Sequence, residues 1–99
     1  MHTRTEQLLG SAATERLRAS RVALFGLGGV GSFTAEALAR AGIGHLLLVD
    51  GDTVAPSNLN RQLVALHSTL GQPKAEVMAA RIRDISPDIR VDARHAFYL

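Results

Sequence analysis

Residues 21–31, RVALFGLGGVG, restrict the possible folds more than any other part of the chain, because a strand-like run closes on a glycine-rich turn. Arg21 to Phe25 is short, apolar and ends at glycine, which suits a buried strand. Gly26, Gly28 and Gly31 then fit the pattern G-x-G-x-x-G, with Gly29 as an additional glycine. A helical pattern follows to about Ala41, in which Val30, Phe33, Ala37, Leu38 and Ala41 share one apolar face. Phe33 and Leu38 are expected in the core beneath the sheet, and Phe25 in the core of its strand. Gly42 and Gly44 supply the helix stop. A loop so placed, after a strand and at the opening of a helix, aims free backbone N–H groups at a phosphate. The alternative is a glycine turn selected only for close packing of helix on strand.

His45 to Val49 reads as a second buried strand, and it ends in Asp50, 19 residues after Gly31. A carboxylate there can accept hydrogen bonds from ribose hydroxyls, so spacing and context favour the nucleotide reading without separating NAD from ATP. The connection over 51–73 is long and turn-rich at Asp52, Pro56, Ser57 and Asn58, with a helical turn expected around Leu59 to Leu66. Pro73 suits the first position of a helix carrying Ala75, Met78, Ile82 and Ile85, which must stop at Ser86-Pro87. Arg90 to Ala93 reads as a third strand. A further helix is expected from Ser11 to about Ala19. The fold class is therefore α/β, a Rossmann-like doubly wound parallel sheet. Its β-α-β-α-β part occupies 21–99, after a helical arm over 1–20.

A chain of 99 residues allows one small domain, and 46% hydrophobic with 20% charged residues is a globular profile. The net charge of +2 is too small to call for a polyanionic partner, and Arg16, Arg18 and Arg21 read as a solvated face. With no cysteine, disulfides, thiolate nucleophiles and cysteine-based zinc sites are excluded from this chain. Its four histidines are scattered, and no metal site is expected among them. No secretory signal stands at the N-terminus, and the longest apolar run, Leu46 to Val49, is far below the roughly 20 residues that span a bilayer. A cytoplasmic protein without membrane contact is expected.

The long connection sharpens the choice of nucleotide. It carries Asp52, Asn58, Asn60, Arg61 and Gln62, and Lys74 follows 13 residues after Arg61. A dehydrogenase has no evident need for an arginine and a lysine beside this crevice. A triphosphate does, since its outer phosphates extend past the glycine loop and call for cations. Each residue alone is more simply a surface charge; together, beyond a strand end, they favour phosphate binding.

GLGGVGS at 26–32, Asp50-x-Asp52, SNLNRQ at 57–62 and GQPK at 71–74 resemble the adenylating enzymes of the ubiquitin-activating-enzyme-like superfamily. RTEQLLG at 4–10, ALARAGIG at 37–44 and the Asn60-Arg61-Gln62 triplet are most similar to its tRNA threonylcarbamoyladenosine dehydratase branch. The resemblance covers essentially the whole chain. It implies ATP-dependent activation of the threonyl carboxylate on a tRNA adenosine, followed by cyclisation with loss of AMP. By position, Gly26, Gly28, Gly29 and Gly31 would hold the nucleotide and Asp50 the ribose, with Asp52 and Asn58 beside it. Arg61 and Lys74 would bind the phosphates and act catalytically on the leaving pyrophosphate. Arg4 resembles an arm arginine that reaches a partner's phosphates, which implies a homodimer.

Family members continue beyond the third strand, through a further strand whose aspartate organises magnesium. That aspartate has no counterpart here, so the chain is expected to be the N-terminal part of such an enzyme and inactive alone. Without a fourth strand, Val22 to Phe25 should form an exposed apolar edge, which predicts oligomerisation, poor solubility or marginal folding. Adenylation of a sulfur-carrier protein's C-terminus is the nearest alternative activity, since those relatives share Arg61, Gln62 and Lys74. A non-catalytic nucleotide-binding module is a second alternative, and the Asn-Arg-Gln and Lys elements disfavour a third, NAD-dependent oxidoreduction.

Overall fold

The computed structural model describes residues 11–56 and 62–97, so Arg4, Asn58, Asn60 and Arg61 lie outside the described residues. Three strands, β1 (Arg21–Phe25), β2 (His45–Asp50) and β3 (Arg90–His95), form one parallel sheet in the order β1-β2-β3. Helix α1 (Ser11–Ala19) precedes β1, α2 (Gly29–Ala41) joins β1 to β2, and α3 (Lys74–Ile85) precedes β3. This is the Rossmann-like β-α-β-α-β arrangement that the motif order implies.

Side chains alternate across each strand, so one sheet face collects Val22 and Leu24, Leu46 and Leu48, and Val91 and Ala93. These residues join Ala35, Ala39, Met78, Ala79 and Ile82 of α2 and α3 in a single core. Leu46 and Leu48 are fully buried, and truncating either to alanine should cost about 2–5 kcal/mol. The other face carries Arg21, Ala23 and Phe25, all exposed. Among the described residues, α2 and α3 cover one face of a sheet type that is ordinarily buried on both.

The apolar face expected of α2 is not the one that packs. Its buried residues are Ser32, Ala35 and Ala39, whereas Val30 is 83% exposed and Phe33 58%. The cause is the closeness of helix and sheet: a Cβ on Gly31 would collide with the backbone of Gly26, so only small residues fit the contact. The bulkier stripe is turned outward, and Leu38 alone of its large residues packs partly against the core. Phe25 is likewise 57% exposed, because among the described residues β1 is an edge strand and no helix covers the face on which Phe25 lies.

Connections follow the residues more closely. Gly42 ends α2 in the left-handed region, φ 98°, with its N–H directed at the carbonyls of Leu38 and Ala39. The chain then returns beside α1, where Gly44 N–H donates to Leu17 O at 3.2 Å and His45 N–H to Ser20 O at 3.2 Å. These bonds fasten α1 to the start of β2. In the long connection the first residues of the turn expected at Leu59 to Leu66 lie outside the described residues; among the described ones a 3-10 turn forms at His67–Thr69, with Thr69 Oγ1 donating to Val64 O at 2.7 Å. Pro73 caps α3 instead of opening it, and the helix stops at Ile85, before Ser86 and Pro87.

Candidate nucleotide-binding site

The C-terminal ends of β1 and β2 meet at a loop tied by one carboxylate. Gly26 leaves β1 at φ 95°, a conformation glycine adopts without strain, and its N–H donates to Val49 O at 2.9 Å. Leu27 N–H donates to Asp50 Oδ2 at 2.6 Å, and Asp52 N–H donates to Asp50 Oδ1 at 2.7 Å. Ser32 Oγ donates to Leu27 O at 3.0 Å from within α2. Asp50, 5% exposed, therefore holds the glycine loop against the end of β2, with one lone pair of each oxygen already engaged.

Helix α2 starts immediately afterwards without a side-chain cap; Gly28 is its N-cap residue. Its first intrahelical bond is Ser32 N–H to Gly28 O at 2.9 Å, which leaves the N–H groups of Gly29, Val30 and Gly31 without helical acceptors. A Cβ placed on Gly28 meets nothing within 4 Å, so the space before this helix end is open. Positive potential and free donors converge there, as an anion requires.

Lys74 is brought to the same place by the backbone. Thr53 and Pro73 form an antiparallel bridge, Val54 N–H donates to Gln72 O at 2.8 Å, and Lys74 N–H donates to Asp52 O at 3.0 Å. The start of α3 is thereby laid beside the end of β2. Lys74 is only 7% exposed, and its ammonium makes no ion pair with any described residue. A nearly buried cation in that position is suited to an anionic ligand.

These elements enclose a cleft of about 470 Å³. Gly26, Gly28, Asp50, Asp52 and Lys74 line it, five of the residues singled out by sequence. Gly29 and Gly31 do not: Gly29 is the first residue of α2, and Gly31 serves the close approach to Gly26. Leu27, Gly51 and Phe97 also line the cleft, and no motif or spacing in the sequence marks them. A separate side-chain pair lies between β2 and β3: His45 Nε2 hydrogen-bonds Asp92 Oδ2 at 2.8 Å. This bond, assisted by the charge of Arg90, holds the Asp92 carboxyl below the usual carboxylate range.

An open parallel sheet, a glycine loop running into a helix N-terminus and an acidic residue closing the second strand define a Rossmann-like α/β domain of the mononucleotide-binding kind. Within that class, the model of the ThiF family matches residues 2–98, and the chain belongs to that family. It is 55% identical over 96 residues to a tRNA threonylcarbamoyladenosine dehydratase of Bacillus subtilis, covering 97% of this chain and 38% of that protein. The structure of the Escherichia coli tRNA N6-threonylcarbamoyladenosine dehydratase in complex with ATP superposes with a TM-score of 0.93 at 46% identity, over 96% of this chain and 39% of that one. A molybdopterin-synthase adenylyltransferase of E. coli is 46% identical over 77 residues, 78% of this chain and 31% of its own length. The chain thus spans 30% to 38% of the length of the curated dehydratases it matches. Among the described residues no helix is long and apolar enough to cross a membrane.

Proposed function

We propose that the chain forms the ATP-binding part of an enzyme that dehydrates threonylcarbamoyladenosine in tRNA by adenylating its threonyl carboxylate. The observation that carries this reading is the meeting of an uncapped helix N-terminus, Asp50 and the nearly buried Lys74 around one cleft. ATP fits the donor set: backbone N–H groups and an ammonium for phosphates, and the remaining lone pairs of Asp50 for ribose hydroxyls. Sequence similarity favours the dehydratase over sulfur-carrier adenylation, since 55% identity over nearly the whole chain exceeds 46% over a shorter part.

In this reading the substrate carboxylate attacks the α-phosphorus of ATP and pyrophosphate departs. The carbamoyl group then closes on the activated carbonyl, and AMP leaves with one carboxylate oxygen, so the nucleoside loses one water. Lys74 and Arg61 bind the phosphates and offset charge on the departing pyrophosphate, an electrostatic contribution. The helix dipole of α2 acts in the same sense. Gly26 and Gly28 let the nucleotide approach the backbone, the helix-end N–H of Gly29 adds a donor, and Asn58, outside the described residues, would contact the same nucleotide. Magnesium would accompany the phosphates and offset their charge; of the two carboxylates that line the cleft, the exposed Asp52 would be open to it, since Asp50 is engaged by the loop. The enzyme works in the cytoplasm on tRNA as a homodimer, with Arg4 reaching the partner's phosphates.

The test is chemical. Protein carrying this sequence is incubated with ATP, magnesium and either threonylcarbamoyl-modified tRNA or a sulfur-carrier protein, and the digested nucleosides and the carrier are weighed. Loss of one water with stoichiometric AMP is expected. Unchanged tRNA alongside an adenylated carrier-protein C-terminus would assign the chain to the sulfur-carrier activity instead.

A further inference from the structure

Phe97 is an aromatic residue held at the mouth of the cleft with most of its surface in solvent. It is 84% exposed, yet it follows β3 by two residues and is not a loose end of chain. The β2–β3 ladder pairs Asp50 with His95, and Ala96 N–H then donates to Asp50 O at 3.1 Å. That bond fixes the backbone one residue before Phe97 to the same aspartate that ties the glycine loop. The ring comes down on Gly51: a Cβ there would lie 2.7 Å from both Cγ and Cε1, with Cδ1 between them nearer still. Equal distances to the two flanking atoms at so short a range describe an approach to the ring face, because an edge-on approach would leave both flanking atoms farther away. One face of the phenyl therefore rests on Gly51, at a position where any side chain would displace it.

Phe97 lines the cleft, and an aromatic face there can take a planar ring by stacking. The cleft beside it already holds donors for phosphates and an acceptor for a ribose, but no described group for a base. We infer that Phe97 is the stacking platform for the nucleobase of the bound nucleotide, with Gly51 kept without a side chain to seat the ring. The inference rests on the nucleotide reading above and adds the residue that engages the base. Every base offers a π-face, so stacking on Phe97 favours purine nucleotides in general and does not select adenine.

Calorimetric titration of the wild type, Phe97→Ala, Phe97→Trp and Gly51→Ala with ATP, GTP and inorganic tripolyphosphate tests this. Phe97→Ala and Gly51→Ala should each weaken ATP and GTP by about tenfold while tripolyphosphate affinity stays the same. Phe97→Trp should keep wild-type affinity, and because the chain has no other tryptophan, its fluorescence reports stacking directly through quenching by ATP but not by tripolyphosphate. Equal losses for nucleotide and tripolyphosphate in Phe97→Ala, or unchanged ATP affinity, would overturn the assignment to the base. A wild type that binds tripolyphosphate and nucleotides equally well would overturn the platform while leaving the phosphate site standing. A wild type that binds none of the three would remove the nucleotide reading and the platform together.

Discussion

Replacing Lys74 by methionine keeps the apolar stem and removes the charge, which separates its packing from its electrostatics. If the ammonium serves the phosphates, Lys74→Met should weaken ATP by about 10- to 100-fold, the range of a charge-assisted hydrogen bond, with little change in melting temperature. Two glycines of one loop should behave oppositely. Gly28→Ala places its methyl in open space at the helix N-terminus, so stability should hold while ATP affinity falls. Gly31→Ala drives a methyl into the Gly26 backbone and should cost about 1–3 kcal/mol of stability, measured by chemical denaturation. The motif string treats these glycines alike; only the three-dimensional approach of α2 to β1 assigns one to the ligand and the other to packing.

At the scale of elements, β2 and β3 are joined by a side-chain pair as well as by backbone bonds. The His45 hydrogen bond lowers the pKa of the half-exposed Asp92 carboxyl, so the ionised form is favoured in the folded state. Its contribution to stability is present above the unfolded-state value near 3.8 and is lost as pH falls through the lower folded value. Asp92→Asn should therefore flatten the acid limb of the stability profile below about pH 4, with little effect on ATP binding at neutral pH. The elements themselves were legible because glycine, proline and short apolar runs punctuate this sequence strongly: α1 and the ends of β1, β2 and α2 lie where those signals put them. Which face of α2 packs was not legible. Periodicity finds the bulkiest stripe, Val30 and Phe33, whereas the contact demanded the smallest, Ser32, Ala35 and Ala39. Lys74 and Asp50 were legible from spacing, and Phe97 was not, since its place depends on the register of β3 against β2.

At the scale of the whole molecule, the sheet of the described residues has β1 at one edge, a strand with no charge after Arg21 to guard it, beside the exposed Phe25, Val30 and Phe33. Such an edge pairs readily with another, so the 99-residue chain should associate in a concentration-dependent way. Light scattering after size exclusion should show this, and Ala23→Lys, on the exposed face of β1, should shift the population toward monomer. Ala23 does not line the nucleotide cleft, so the substitution should leave ATP affinity near the wild-type value. The central claim is that the cleft takes a triphosphate through the α2 N-terminus and Lys74, and parallel calorimetric titrations with ATP and NAD of the wild type and Lys74→Met test it most directly. Tighter binding of ATP than of NAD, with the ATP preference lost in Lys74→Met, is the predicted result. Equal or tighter binding of NAD, or ATP binding indifferent to Lys74, would contradict it.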